Sequence, residues 1–418
     1  MGLAITVGYV SLLIISGSIL AKIGEKLKIP DIPLLLLFGL IIGPILGIIS
    51  TNYAQNIFEY VANIGLIILL LGGAFEMRWI VLKRVLKTVL KLDTIALLMS
   101  FGISGLIFNM VFKIPYLNPV GYLFGAITCA TDPATLIPIF SKSDIDPVVA
   151  VTLEAESVFN DPLGIVLTSI ILSMMGLAKQ LNPILNFLSL AIGGVILGLI
   201  GGKIFEKAVL MCDFKEYVAP LSVGMAMFLW YFGSEIFPHF TGYEISGFMA
   251  VAIMGLYLGN TLTKYPKKSK DVSNIGEFCA DLSTLMRILI FVFLGASINF
   301  SVLSNYWIEG LLCAIGTIFI ARPLGVFLAT FIPPSISFKK ILYFSLEGPR
   351  GVVPAALSAT VYATIMKNPH IIPTEITKYM PAQEIAGSIL VATFMTILLS
   401  VILEASWADI LAKKLLKD

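Results

Sequence analysis

The chain has 418 residues, 58% of them hydrophobic and only 13% charged, with a formal net charge of +2. That charged fraction is about half of what a soluble domain carries, so the composition indicates a membrane protein and gives no reason to expect a nucleic-acid partner. The four cysteines, Cys129, Cys212, Cys279 and Cys313, show no C-x-x-C spacing and read as packing residues, and His239 and His370 sit in short connections. Zinc, redox and histidine-based chemistry are therefore disfavoured.

Taken in chain order, apolar runs of spanning length predict thirteen transmembrane helices, near 3–21, 32–50, 57–75, 94–112, 120–139, 148–174, 183–202, 217–235, 244–262, 283–300, 307–332, 341–366 and 385–404. The first run lacks a basic leader and reads as a retained helix rather than a cleaved signal. Between the third and fourth runs, residues 78–91 alternate apolar positions with Lys83, Arg84, Lys87 and Lys91, which predicts an amphipathic helix at the membrane interface.

Basic residues test the count. Of the 28 Lys and Arg, 21 fall in the loops after odd-numbered spans and in the C-terminal tail, and 4 fall on the other side. The remaining three, Arg287, Arg322 and Arg350, lie within spans. The asymmetry predicts an external N-terminus and a cytoplasmic C-terminus in a multi-pass protein of the cell membrane.

An odd number of spans accommodates two inverted six-helix repeats, helices 1–6 and 8–13, joined by helix 7. Helix 5 then pairs with helix 12, and both are interrupted: Asp132-Pro133 and Pro138 in one, Gly348-Pro349-Arg350-Gly351 and Pro354 in the other. Broken, crossing helices in matching positions of inverted halves point to a transporter's midplane site. The glycines of helix 7, Gly193, Gly194, Gly198, Gly201 and Gly202, read as close helix packing rather than as a nucleotide loop.

Acids inside these spans carry the chemistry. Asp132, Glu154, Glu156 and Asp161 fall within 30 residues of one another, and a carboxylate in hydrocarbon costs about 2.5–3.5 kcal/mol on insertion scales. Pro133, Pro162 and Pro354 each remove a backbone donor and are expected to free the carbonyls of Cys129, Val158 and Arg350. On helix 6, Ser157 and Asp161 share one face, and Glu156 and Asn160 share the face next to it. The first face, set against Thr131 and Asp132, supplies oxygen ligands suited to a hard cation such as Na⁺. An Asp there could take H⁺ or Na⁺ but not both, which makes competition for one carboxylate a simple exchange mechanism. The second face suits a structural pairing with an intramembrane arginine, Arg322 or Arg350, while Arg287 is expected to snorkel to the cytoplasmic surface. Asp93 and Glu404, at span ends, are assigned to headgroups or lysines.

Four motifs in order, A-T-D-P-A-T at 130–135, E-S-V-F-N-D-P at 156–162, A-R-P-L-G-V at 321–326 and E-G-P-R-G-V-V-P at 347–354, together with the Lys28-Ile-Pro-Asp-Ile-Pro33 link, resemble the monovalent cation:proton antiporter family, and archaeal NhaP-type Na⁺/H⁺ antiporters in particular. The resemblance covers essentially the whole chain. It implies a single membrane domain over 1–418, with a dimer-forming scaffold (1–75 and 217–300), a mobile ion-translocating core (94–174 and 307–404) that moves like an elevator, and a linker helix (183–209).

It further implies that Asp161 is the principal ion- and proton-exchanging carboxylate, with Asp132, Ser157 and the Thr131 backbone as further Na⁺ ligands and Glu156 acting through water. Arg322 and Arg350 match arginines that stabilise Glu156 and Asn160, and Glu76 is placed in the same network. The Asn160-Asp161 pair is the form associated with electroneutral exchange, since Asn cannot titrate. The expected protein is a homodimeric secondary transporter in the lipid bilayer, with Na⁺ (or Li⁺) and H⁺ as substrates, no cofactor and no enzyme activity. A cation channel, and an intramembrane aspartyl protease using Asp132 and Asp161, are the rival readings. The first lacks a pore-loop signature and the second lacks a Gly-x-Gly-Asp context.

Overall fold

The computed structural model describes residues 3–27, 29–132, 147–177, 183–212, 214–265, 269–331 and 336–416. Lys28 and residues 133–139 of the predicted 120–139 span, with Pro133 and Pro138, lie outside the described residues. Every regular element among the described residues is helical. In chain order these are α1 (Leu3–Leu27), α2 (Asp31–Ile45), α3 (Thr51–Glu76), α4 (Trp79–Val111), α5 (Pro119–Thr128), α6 (Pro147–Met174), α7 (Pro183–Met211) and α8 (Val218–Tyr231), which continues through a π turn (Phe232–Ile236) and a short helix (Phe237–Thr241). They continue with α9 (Gly247–Thr261), α10 (Ser269–Ser297), α11 (Phe300–Phe331), α12 (Phe338–Leu346), α13 (Val352–Lys367), α14 (Thr374–Thr377) and α15 (Ala382–Leu415). Eight helices among the described residues are long and apolar enough to cross a membrane, which makes this an all-helical multi-pass membrane protein.

Local sequence starts several of these helices. The side chains of Ser50, Asn118, Ser246 and Asn299 accept hydrogen bonds from backbone N–H groups of the first turns of α3, α5, α9 and α11. Pro119, at the first position of α5, costs no hydrogen bond there. The glycines of α7 seat α9: a Cβ at Gly194 or Gly198 would run into Met249 or the Ala250 carbonyl. This is the close packing that the glycine spacing predicts.

The 78–91 segment departs from expectation. It is helical and amphipathic, but it runs unbroken through a π turn at Leu92–Ala96 into the apolar part of α4. Its apolar face, Leu82, Val85 and Val89, is buried beside Ala155 of α6 rather than laid in lipid. Basic residues on a helix leave its opposite face free to bury, and here a protein neighbour takes that face.

Two packing groups flank the site, and α13 bridges them by packing against α3. On one side α3 packs against α9 and α10, and α2 packs on α10. On the other, α5 packs against α4 and α6, and α15 packs along α11 and α13. A Lys367 to Glu59 ion pair of 2.6 Å ties the end of α13 to α3.

Candidate functional site

Two helix breaks meet in the buried interior of the molecule. After Thr128 the chain leaves the helix, and Ala130, Thr131 and Asp132 are non-helical. Opposite them, residues 347–351 separate α12 from α13, with Glu347 extended at φ −120°, ψ 117°. The breaks are joined directly: the Asp132 N–H donates to the Pro349 carbonyl at 2.7 Å, and the Val352 N–H donates to Asp132 Oδ2 at 3.3 Å. Backbone groups that lost their helical partners thereby find partners across the crossing.

Pro354 does not make the break on its side. α13 begins at Val352, so Pro354 falls in the first turn, where its absent N–H would have had no helical partner, and Arg350 lies outside the helix altogether.

A cavity of about 260 Å³ lies against this crossing. Asp132, Ser157, Asp161 and Val352 line it from one side, and Glu76 of α3 with Ser283, Thr284 and Arg287 of α10 line it from the other. Ser157 and Asp161 do share a face of α6, with Ser157 Oγ donating to Asp161 Oδ2 at 3.3 Å. The second oxygen, Asp161 Oδ1, is buried without a hydrogen bond. A carboxylate oxygen in that condition needs a cation or a proton, and the donor set is all oxygen, as a hard alkali cation prefers. Among the described residues no cluster of three or more His, Cys, Asp or Glu forms a transition-metal site.

The neighbouring face of α6 makes two separate structures. Glu156 receives a bidentate pair from Arg322, through Nη2 at 3.0 Å and a shorter contact from Nη1. Arg322 follows a π turn in α11, and its remaining donors reach the carbonyls of Phe344 and Glu347 at 3.2 and 3.1 Å. One guanidinium thus fixes α6, α12 and the second break together. Asn160 instead bonds Thr131, its amide donating to Thr131 Oγ1 at 2.8 Å and its oxygen accepting from Thr131 N–H at 3.3 Å.

Several sequence expectations fail here. Arg350 does not reach Asn160 or Glu156; its Nη1 bonds the Gly348 carbonyl of its own break, and the side chain is 1% exposed. Glu76 is exposed at the cavity wall rather than joined to the Glu156–Arg322 pair. Arg287 lines the cavity and pairs with Asp31 at 3.2 Å. Cys212 is exposed, although the other three cysteines are buried packing residues.

Asp93 and Glu404, each 3% exposed, are buried in protein rather than set among headgroups. Sequence position puts both near span ends, but α4 and α15 each run well past the predicted edges, and neighbours cover them there.

A polytopic helical fold with acids at two crossed helix breaks defines a class, that of membrane transporters with a midplane site. Similarity makes this specific: the model of the family described as sodium/hydrogen exchanger, transmembrane, matches residues 9–414, and the chain belongs to that family. The chain is 60% identical over 418 residues to Na(+)/H(+) antiporter 1 of Methanocaldococcus jannaschii, covering all of this chain and 97% of the relative. It is 57% identical over 417 residues to the probable Na(+)/H(+) antiporter 2 of the same organism, covering all of this chain and 99% of that one. Its structure superposes on that of the sodium proton antiporter MjNhaP1 at pH 8 with a TM-score of 0.96, at 60% identity and with both chains fully covered. These relatives are secondary transporters, not enzymes, and they support neither the channel nor the protease reading.

Proposed function

We propose that this chain exchanges Na⁺ or Li⁺ for H⁺ across the cell membrane, one for one, at Asp161. The observation that carries the reading is the buried, unbonded Oδ1 of Asp161 at a cavity shared with Ser157 and Asp132. Na⁺ binds Asp161 with Asp132, Ser157 and the Thr131 backbone as further ligands, and a proton on Asp161 removes the charge that holds it. Each ion therefore displaces the other. The relatives' names, Na(+)/H(+) antiporter 1 and 2, support the same pair of substrates.

Glu156, Asn160, Arg322 and Arg350 serve the site by holding its frame. The Glu156–Arg322 pair sets α6 against the second break, and Asn160 sets it against Thr131 at the first. Because Asn160 cannot ionise, the site has one exchangeable carboxylate on α6 and moves no net charge in a cycle.

The larger architecture belongs to the same proposal. Thirteen transmembrane helices form two inverted repeats of six around α7, with the N-terminus outside and the C-terminus in the cytoplasm. A scaffold (1–75 and 217–300) forms a homodimer, and a core (94–174 and 307–404) moves against it to give alternating access. The cavity wall supports this division, since α3 and α10 line it from the scaffold side while Asp132, α6 and α13 line it from the core side. Exposed Ile15, Ile19 and Ile23 along α1 leave an apolar face for lipid or a second copy.

In proteoliposomes, a Na⁺ gradient is expected to drive a lumenal pH change whose rate is the same with the membrane potential clamped at zero or displaced. A rate that follows the potential would refute one-for-one exchange.

A further inference from the structure

The second break is organised by a part of α15 that the ion site itself does not use. Along residues 346–350, alternate residues turn the same way: the Leu346 carbonyl accepts from Trp407 Nε1 at 3.3 Å, the Gly348 N–H donates to Glu404 Oε2 at 2.5 Å, and the Arg350 N–H donates to Ser400 Oγ at 3.0 Å. The intervening carbonyls turn the other way, Glu347 to Arg322 and Pro349 to the Asp132 N–H. Pro349 has no N–H to place.

Ser400, Glu404 and Trp407 are successive turns of one helix face. Four helical residues rise about 6 Å, and two extended residues rise about 6.6 Å, so an antiparallel extended strand can meet such a stripe in register. Glu404 and Ser400 are almost wholly buried, at 3% and 0% exposure, in a helix with no need of polar residues for solubility.

We infer that Ser400, Glu404 and Trp407 form a templating stripe that holds the α12–α13 break in register, and that Glu404 is thereby a positioning residue for Asp132 and for cation binding at Asp161. The chain of contacts is short. Glu404 fixes Gly348, the next residue Pro349 fixes the Asp132 backbone, and Val352 fixes the Asp132 carboxylate. If the stripe is lost, Asp132 loses the backbone that aims it at the cavity. This inference rests on the exchange reading above for its functional consequence, and on the hydrogen bonds alone for its structural one.

The test takes the full-length chain, reconstituted for Na⁺-driven exchange and solubilised for hydrogen exchange. Glu404→Ala is expected to raise the KM for Na⁺ about tenfold or more, and to speed deuterium uptake in the peptide covering 346–351. Glu404→Gln keeps an acceptor oxygen and should restore both to within about threefold of the parent. Where Glu404→Ala does not fold, Ser400→Ala decides by the same two readouts. Parental KM and parental uptake in the alanine variant overturn the proposal, and so does equal damage by alanine and glutamine. Asp161→Asn separates the two readings: if it exchanges normally, the placement of the exchange site at Asp161 fails, while deuterium uptake still decides the stripe.

Discussion

Among single residues, Glu156 and Arg322 are the most committed pair. Both are buried, and the pair is bidentate, so removing one partner leaves the other charged in a dry place, a loss of about 3–5 kcal/mol, whereas exchanging both for matched apolar residues is far milder. Glu156→Ala is therefore expected to lower the thermal unfolding temperature in detergent sharply. An unchanged midpoint would show that the pair is not a structural brace. Asp161 differs from Glu156 in what surrounds it, since a hydroxyl at 3.3 Å is its hydrogen-bond partner on Oδ2 and Oδ1 has none. Its importance was legible in the sequence because an acid and a proline adjoin inside an apolar run. Glu404 and Asp93 were not legible, because a sequence cannot tell a span end in headgroups from one covered by neighbouring helices.

Among elements, the two breaks decide the geometry. Gly351 lies where a Cβ would strike the Asp132 carboxylate, so the close approach of the breaks requires glycine there. Gly351→Ala is expected to displace Asp132 and cut Na⁺-driven exchange about tenfold or more, with the chain still inserted and folded; parental exchange would show that the breaks can part without cost. The motif Gly348-Pro349-Arg350-Gly351 announced this break, as did Asp132 on the other side. The role of Pro354 was not readable, since whether a proline breaks a helix or begins one depends on where the preceding turn ends. The fate of residues 78–91 was likewise undetermined, because lipid and a protein neighbour satisfy an amphipathic face equally well.

Across the whole molecule, the distribution of Lys and Arg and the length of the apolar runs made a multi-pass helical fold readable, because hydrocarbon leaves a chain few alternatives. What they could not supply is the arrangement of α3 and α10 against α6 and α13, which turns separate acids into one cavity. That arrangement sets Asp161 in the cavity wall, where we place the exchange. If Na⁺ and H⁺ share that carboxylate, lowering the pH below its titration raises the KM for Na⁺ by about tenfold per unit without lowering the maximal rate. The most direct measurement is Na⁺-driven proton movement in proteoliposomes carrying Asp161→Asn. Exchange should fall at least about a hundredfold at equal amounts of folded protein, and exchange at the parental rate would contradict a shared site at Asp161.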